Sequence, residues 1–290
     1  MPKPHRQEFI FTLPSLGWLI LFFALPGLLT LTIAFHVSDL RGGVADGWTL
    51  ETVLALADPL YLPMIWRTLW ISSLTTLFCL ALALPMSWHL AKLTPRWRNA
   101  LLLLVVLPFL TNFLIRIFAW RSLLHPEGPV KQMLLWLHVV NEETFLLNHA
   151  AAVLLVMIYT QLPFAILPLY AAAEKFDFRL IDAARDLGAS GWQAFRRVFL
   201  PGVRQGIVSA ALIVFVCSLG QYVIPQFIGG TADEMLGNKI FQRAFSDRNL
   251  PLACALAGAL LLAVLAMGTL AKLLFRERSS SRLGKRTYRS

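Results

Sequence analysis

The side chains able to do acid–base, nucleophilic or metal chemistry are few in this sequence, and their spacing does not suit it. The six histidines, His5, His36, His89, His125, His138 and His149, stand singly, with no H-E-x-x-H pair to hold zinc on one helix face. Cys79, Cys217 and Cys254 fall inside apolar stretches without metal-ligand spacing, so they read as packing residues. Gly188-Ala189-Ser190-Gly191 is one residue short of a nucleophile elbow. No G-x-x-x-x-G-K-[ST] loop is present to cradle ATP phosphates. The reading is therefore no catalytic residue, no metal and no cofactor. What remains is a sparse set of polar and aromatic residues in apolar surroundings: Asn112, Arg116 and Trp120, Gln161 beside Pro163, and Gln221-Tyr222 just before Pro225. A proline that interrupts a buried helix frees carbonyls that can line a cavity, and an aromatic face attracts a diffuse cation. Asn112, Trp120, Gln161, Gln221 and Tyr222 are accordingly the candidates for a solute path. Hydrogen bonding between helices is the alternative for the amides, and snorkelling to headgroups is the alternative for Arg116.

The elements that must position these residues follow from composition. The chain of 290 residues is 57% hydrophobic and only 14% charged, too apolar for a soluble domain to cover. Six stretches are free of charge: 9–38, 68–91, 99–115, 144–173, 205–232 and 249–271. They are 17 to 30 residues long, and a helix of about 17 to 25 mainly apolar residues crosses a hydrocarbon core of about 30 Å. The expected fold class is all-α: a polytopic membrane protein with six spans at about 9–37, 66–91, 99–120, 147–172, 204–228 and 249–275. The first stretch is too long for a signal peptide, and no small-residue cleavage site follows it.

Charge sets the expected orientation. Six spans divide the hydrophilic segments into two sets, and 18 of the 26 Lys and Arg residues share one side with six acids. The other side holds 8 bases and ten acids, so the balance is +12 against −2. The positive-inside rule makes the first side cytoplasmic, with a cytoplasmic N-terminus at 1–8 and a basic cytoplasmic tail at 276–290. The net charge of +10 is then a topological signature, and nucleic acid is not an expected partner.

The cytoplasmic segment 174–204 is more than a connection. Leu180, Ala184 and Leu187 fall at helical spacing opposite Arg179, Asp182 and Asp186, which predicts a short amphipathic helix stopped at Gly188. After a turn at 189–191, Trp192, Phe195 and Phe199 mark a second helical face ending before Pro201. Such a two-helix knob can rest on membrane lipid headgroups, which its arginines suit. It can also dock a partner.

Within it, Asp182-Ala183-Ala184-Arg185-Asp186-Leu187-Gly188, nine residues, then Val198-Phe199-Leu200-Pro201 resembles the EAA motif of ATP-binding-cassette importer permeases: E-A-A, three residues, G, nine residues, I-x-L-P. Asp182 stands for the usual Glu and Val198 for the usual Ile. The resemblance implies a type I importer permease fold, with Asp182, Ala183, Ala184, Gly188, Val198, Leu200 and Pro201 in a coupling element that docks on cytoplasmic ATPase subunits. The stretch Pro108-Phe109-Leu110-Thr111-Asn112-Phe113-Leu114-Ile115-Arg116-Ile117-Phe118-Ala119-Trp120 is similar to spermidine/putrescine permease subunits. So are Asp58-Pro59-Leu60-Tyr61, Gly220-Gln221-Tyr222-Val223-Ile224-Pro225 and Met235-x-Gly237-Asn238. This implies the first permease subunit of a heterodimer in the inner membrane, working with two ATPase subunits and a periplasmic substrate-binding protein. Gln221 departs from the pattern, since an acid there would suit a polycation better.

No Asp or Glu occurs within the apolar stretches, whereas ion-coupled carriers keep carboxylates at membrane depth. The energy for transport is therefore expected from another protein. A stand-alone secondary carrier and a membrane scaffold that only recruits a soluble partner are the competing classes.

Overall fold

The computed structural model describes residues 4–39 and 43–283, which are mostly helical. In chain order the helices are α1 Pro4–Leu19, α2 Leu25–Ile33, α3 Glu51–Leu54, α4 Tyr61–Lys92, α5 Pro95–Val106, α6 Phe113–Leu123, α7 Pro129–Trp136 and α8 Ala150–Glu174. There follow α9 Arg179–Asp186, α10 Gly191–Ala194, α11 Leu200–Gly202, α12 Arg204–Leu219, α13 Val223–Ile228, α14 Leu236–Phe241 and α15 Leu250–Leu283. Single π-turns join α1 to α2, α10 to α11, and continue α14. Between α2 and α3 lies an antiparallel hairpin, β1 His36–Ser38 with β2 Val44–Trp48, kinked by a register shift after His36.

Among the described residues, three helices are long and apolar enough to cross a membrane: Thr12–Ile33, α4 and α8. Two further candidates are bent pairs, Pro95–Leu110 with Phe113–Leu123 at 93° and Gly191–Gly202 with Arg204–Leu219 at 72°; Leu250–Ala266 is a shorter apolar helix. The sequence expectation of an unbroken helix over 99–120 is thus corrected. The chain leaves the helix at Thr111 and Asn112, whose backbones are extended, and re-enters at Phe113. Two further expectations are corrected by prolines that do not break helices. α8 runs continuously through Pro163 and Pro168, and the last helical turn of the knob includes Pro201. The fixed φ of proline, near −65°, is itself helical, and only one hydrogen bond per proline is lost.

The described residues form two compact units. In the first, up to Leu62 and from Lys239 onward, α2 crosses α15 closely. A Cβ on Gly258 would come within 2.8 Å of Leu31 Cδ2, so the glycine is what permits the approach. Arg243 pairs with Asp247 at 2.9 Å and donates to the Tyr61 hydroxyl at 3.5 Å.

The second unit, Pro63–Asn238, is built on the α8–α12 pair. Gly206 allows these helices to touch, since a Cβ there would lie 2.5 Å from that of Ala172. Apolar burial then falls into three clusters. One joins Val153, Val156 and Met157 of α8 to Ile117 of α6 and Ile224 of α13; a second joins Cys79 and Ala83 of α4 to Ile166 and Val214; the third lies under the knob. Because lipid tails are as apolar as these side chains, such helices are held by close packing and hydrogen bonds rather than by escape from water.

Candidate functional sites: the helical knob and the broken helix

The knob is defined by two caps placed back to back. At the end of α9, Gly188 takes φ +86°, the Gly188 N–H donates to Arg185 O at 2.8 Å and the Ala189 N–H to Ala184 O at 3.0 Å. These are the two bonds of a Schellman motif, which needs a left-handed residue at that place. Two residues on, Ser190 caps α10 in a reciprocal box: Ser190 N–H donates to Gln193 Oε1 at 3.0 Å and Gln193 N–H to Ser190 Oγ at 3.3 Å. The S-x-x-Q spacing was a legible local signal for this start. The turn between the helices is thus fixed by its own residues.

Both knob helices and the helix ends they meet contribute to one core. Ala173, Ile181, Ala194, Phe199 and Val203 are buried there. Trp88, from the last turns of α4, meets Phe178, Phe195 and Phe199 edge-on at ring-centroid distances of 5.4, 5.4 and 4.5 Å. Edge-to-face pairs add about 0.5–1.5 kcal/mol each beyond burial. Gly202 closes the set, since any Cβ there would overlap the Phe176 ring. The knob is consequently bound to the ends of α4, α8 and α12. Trp88 and Phe176 carried no expectation from sequence, because Trp88 is 90 to 111 positions from the rings it meets.

The face of α9 that packs is Ile181, 2% exposed, with Ala184 beside it; Leu180 and Leu187 are 53% and 89% exposed. The spacing predicts the helix, but the expected face of Leu180, Ala184 and Leu187 is corrected, because a three-residue apolar stripe on so short a helix does not say which edge is turned inward. Of the seven motif residues, Asp182, Ala183, Gly188 and Pro201 are exposed, whereas Ala184, Val198 and Leu200 are half-buried. Ala184, Gly188 and Val198 share a notch of about 300 Å³ with Leu187 and Arg197.

The second site is the break after α12. The helix stops at Leu219, Gly220 to Tyr222 are non-helical, and α13 restarts at Val223. The break precedes Pro225, which sits inside the first turn of α13 and is buried. What holds the break is the segment expected to be an outer loop: Met235, Leu236, Gly237 and Asn238 are all buried. Asn238 Nδ2 donates to Tyr222 O at 2.9 Å and to Gln226 Oε1 at 3.1 Å, and its Oδ1 accepts from Met235 N–H at 3.2 Å. Leu236 N–H donates to Thr68 Oγ1 at 2.8 Å, and Arg67 Nη1 to Glu234 O at 3.3 Å, which ties the same turn to α4. Gly237 lies against the Gln221 carbonyl, where a Cβ would be 2.7 Å away.

Gln221 is half-buried and Tyr222 exposed at this break. Trp120 lines the neighbouring cluster that contains Val223 and meets Tyr159 edge-on at 5.3 Å. Asn112 belongs to the other break, where its Oδ1 caps α6 by accepting from Leu114 N–H at 2.8 Å. Arg116 lies over the Phe109 and Phe113 rings, on both sides of that bend, at 4.8 and 5.7 Å. Gln161 is 2% exposed inside α8, which has no break beside it. The structure therefore brings together Gln221 and Tyr222, with Trp120 one cluster away, and leaves Asn112 and Gln161 in different surroundings. Among the described residues there is no group of three or more His, Cys, Asp or Glu side chains that could hold a metal ion.

Long apolar helices, two helix breaks and an exposed knob bound to three helix ends define a helical permease-type membrane component. The sequence family described as "Binding-protein-dependent transport system inner membrane component" matches residues 70–277, and the chain belongs to that family. It is 38% identical to the spermidine/putrescine transport system permease protein PotB of Haemophilus influenzae over 83% of this chain and 84% of that protein. Against PotB of Escherichia coli K12 the identity is 36%, over 82% and 87% of the two chains. A bacterial ABC transporter involved in the import of the acidic polysaccharide alginate shares the fold, with a TM-score of 0.71 at 19% identity over 93% of this chain and 95% of its own.

Proposed function

We propose that this chain is one permease subunit of a binding-protein-dependent ABC importer that moves spermidine, putrescine or a similar small solute across the inner membrane. In this reading six spans place both termini and 174–204 in the cytoplasm. A second permease subunit completes a heterodimer, a periplasmic binding protein delivers the solute, and two ATPase subunits supply the energy. The substrate rests on the 36–38% identity to PotB proteins over more than four-fifths of the chain.

The coupling role rests on one observation: the α9 tip is exposed at Leu187 while the helix behind it is bound through Trp88 and Phe199 to the ends of α4 and α12. A push on Asp182–Gly188 by closing ATPase subunits is carried to those helices as a rigid displacement, because close-packed aromatic clusters do not deform continuously. Asn112, Trp120, Gln161, Gln221 and Tyr222 remain the proposed path residues, with Gln221 and Tyr222 foremost since the break exposes them together. Polar uncharged groups and an aromatic face suit a cation that must leave as readily as it enters.

The test is reconstitution in proteoliposomes with the ATPase subunits, the second permease and the loaded binding protein. ATP-dependent uptake of labelled spermidine or putrescine is expected, and uptake driven by an ion gradient without ATPase subunits would falsify the reading. Uptake of a different solute alone overturns the substrate and leaves the transporter class standing.

A further inference from the structure

A groove of about 610 Å³ lies between the last turns of α4 and the second helix of the knob, with Leu84, Pro85 and Trp88 on one wall and Trp192, Phe195 and Leu200 on the other. A second groove of about 350 Å³ adjoins it across Pro85 and His89, floored by Leu90, Leu101 and Leu104. Both floors are hydrocarbon. The rim carries two cations: Arg185 lines the first groove, and Lys92 Nζ sits 3.9 Å above the Trp88 ring. Among the described residues neither Lys92 nor Arg185 has a carboxylate within 4 Å, although Asp182 acts on Lys92 from farther off.

Depth supplies the rest. The 32 residues of α4 extend about 48 Å at helical rise, well beyond a hydrocarbon core of about 30 Å, so the turns around Trp88 reach headgroup level. Trp97 and Trp192 are exposed near this end, among Lys92, Arg96 and Arg98, as in the aromatic and basic girdle of a membrane interface.

We infer that the groove holds an anionic phospholipid of the leaflet facing the knob, an acyl chain lying against Trp88, Trp192 and Leu200 and the phosphate between Lys92 and Arg185. A lipid there wedges the knob against α4, so the charge of the leaflet enters the cost of moving the coupling element. This rests on the reading that 174–204 faces the cytoplasm.

The experiment uses the full chain purified with its co-expressed transport partners, in nanodiscs carrying brominated phosphatidylglycerol or brominated phosphatidylcholine. The quenching that disappears in Trp192→Phe reports lipid in the groove. It is expected to favour phosphatidylglycerol, and Lys92→Gln to reduce that preference about fivefold. Equal quenching by the two headgroups, or no Trp192-dependent quenching because a protein partner covers the groove, overturns the inference. Labelling of Ser190→Cys by a membrane-impermeant thiol reagent, in intact cells and in inverted membrane vesicles, separates the two readings. Reaction from the outside sinks the orientation and the lipid site together, whereas reaction only from the inside with equal quenching sinks the lipid site alone.

Discussion

Asn238 Nδ2 donates a 2.9 Å hydrogen bond to the carbonyl oxygen of Tyr222, sixteen residues back, which also accepts from Gln226 N–H at 3.0 Å at the start of α13. A carbonyl oxygen has two lone pairs, and the second bond ties the 235–238 turn to the residue at which α13 begins. Asn238 is 2% exposed and uses both ends of its amide.

We expect Asn238→Ala to cost about 1–3 kcal/mol of stability, since buried groups lose their partners, and to lower uptake by tenfold or more. Asn238→Asp is expected to be at least as damaging, because it turns an acceptor toward the Tyr222 carbonyl. Thermal unfolding in detergent and uptake in proteoliposomes read the two effects. Wild-type uptake by both variants would show that the break holds itself.

Gly188 stands at φ +86° with no atom near where a Cβ would go, so the barrier to replacement there is conformational rather than steric. Gly188→Val should cost about 1–2 kcal/mol in the left-handed region, twist the α9 tip and uncouple ATP hydrolysis from uptake while membrane insertion persists. Gly188→Asn, which tolerates that conformation, should keep coupling. The ratio of ATP hydrolysed to solute moved distinguishes them, and equal ratios in all three proteins count against a coupling role.

Trp88 and Phe199 meet at 4.5 Å and hold the knob to α4. Trp88→Ala is expected to destabilise by up to about 3 kcal/mol, the low end for truncating a large aromatic because Trp88 is only half-buried. ATP-driven transport should fall with it, and Trp88→Phe should retain most of both. Limited proteolysis of 174–204 should report the loosened knob.

Gly202 and Phe176 are a steric pair. Gly202→Ala alone should impair expression or stability, and adding Phe176→Leu should recover part of the loss. A double-mutant cycle with zero coupling energy would place the cost of Gly202→Ala elsewhere.

Gln221 tests the substrate. Gln221→Glu puts a carboxylate beside Tyr222 at the proposed path and should change spermidine transport more than that of a neutral solute, with the Michaelis constant and maximal rate moving in the same direction. An unchanged ratio of the two substrates would remove Gln221 from the path.

Features that depend on neighbours in the chain are legible in the amino-acid order: the apolar stretches, the stop at Gly188 and the helix spacing of Leu180, Ala184 and Leu187. Each rests on hydration, backbone sterics or hydrogen bonds within a few residues. The capping pair Ser190 and Gln193, three residues apart, belongs to the same group. The burial of Ile181 in place of Leu180, the Trp88 cluster, the 93° bend at Asn112 and the bond from Asn238 to the Tyr222 carbonyl were decided only in three dimensions. The Asn238 bond and the Trp88 cluster join positions 16 to 111 residues apart, and the burial of Ile181 is a choice between two edges of one helix that no local preference distinguishes. Which edge turns inward is set by the ring or carbonyl waiting on the next helix, and that neighbour is present only once the bundle has assembled.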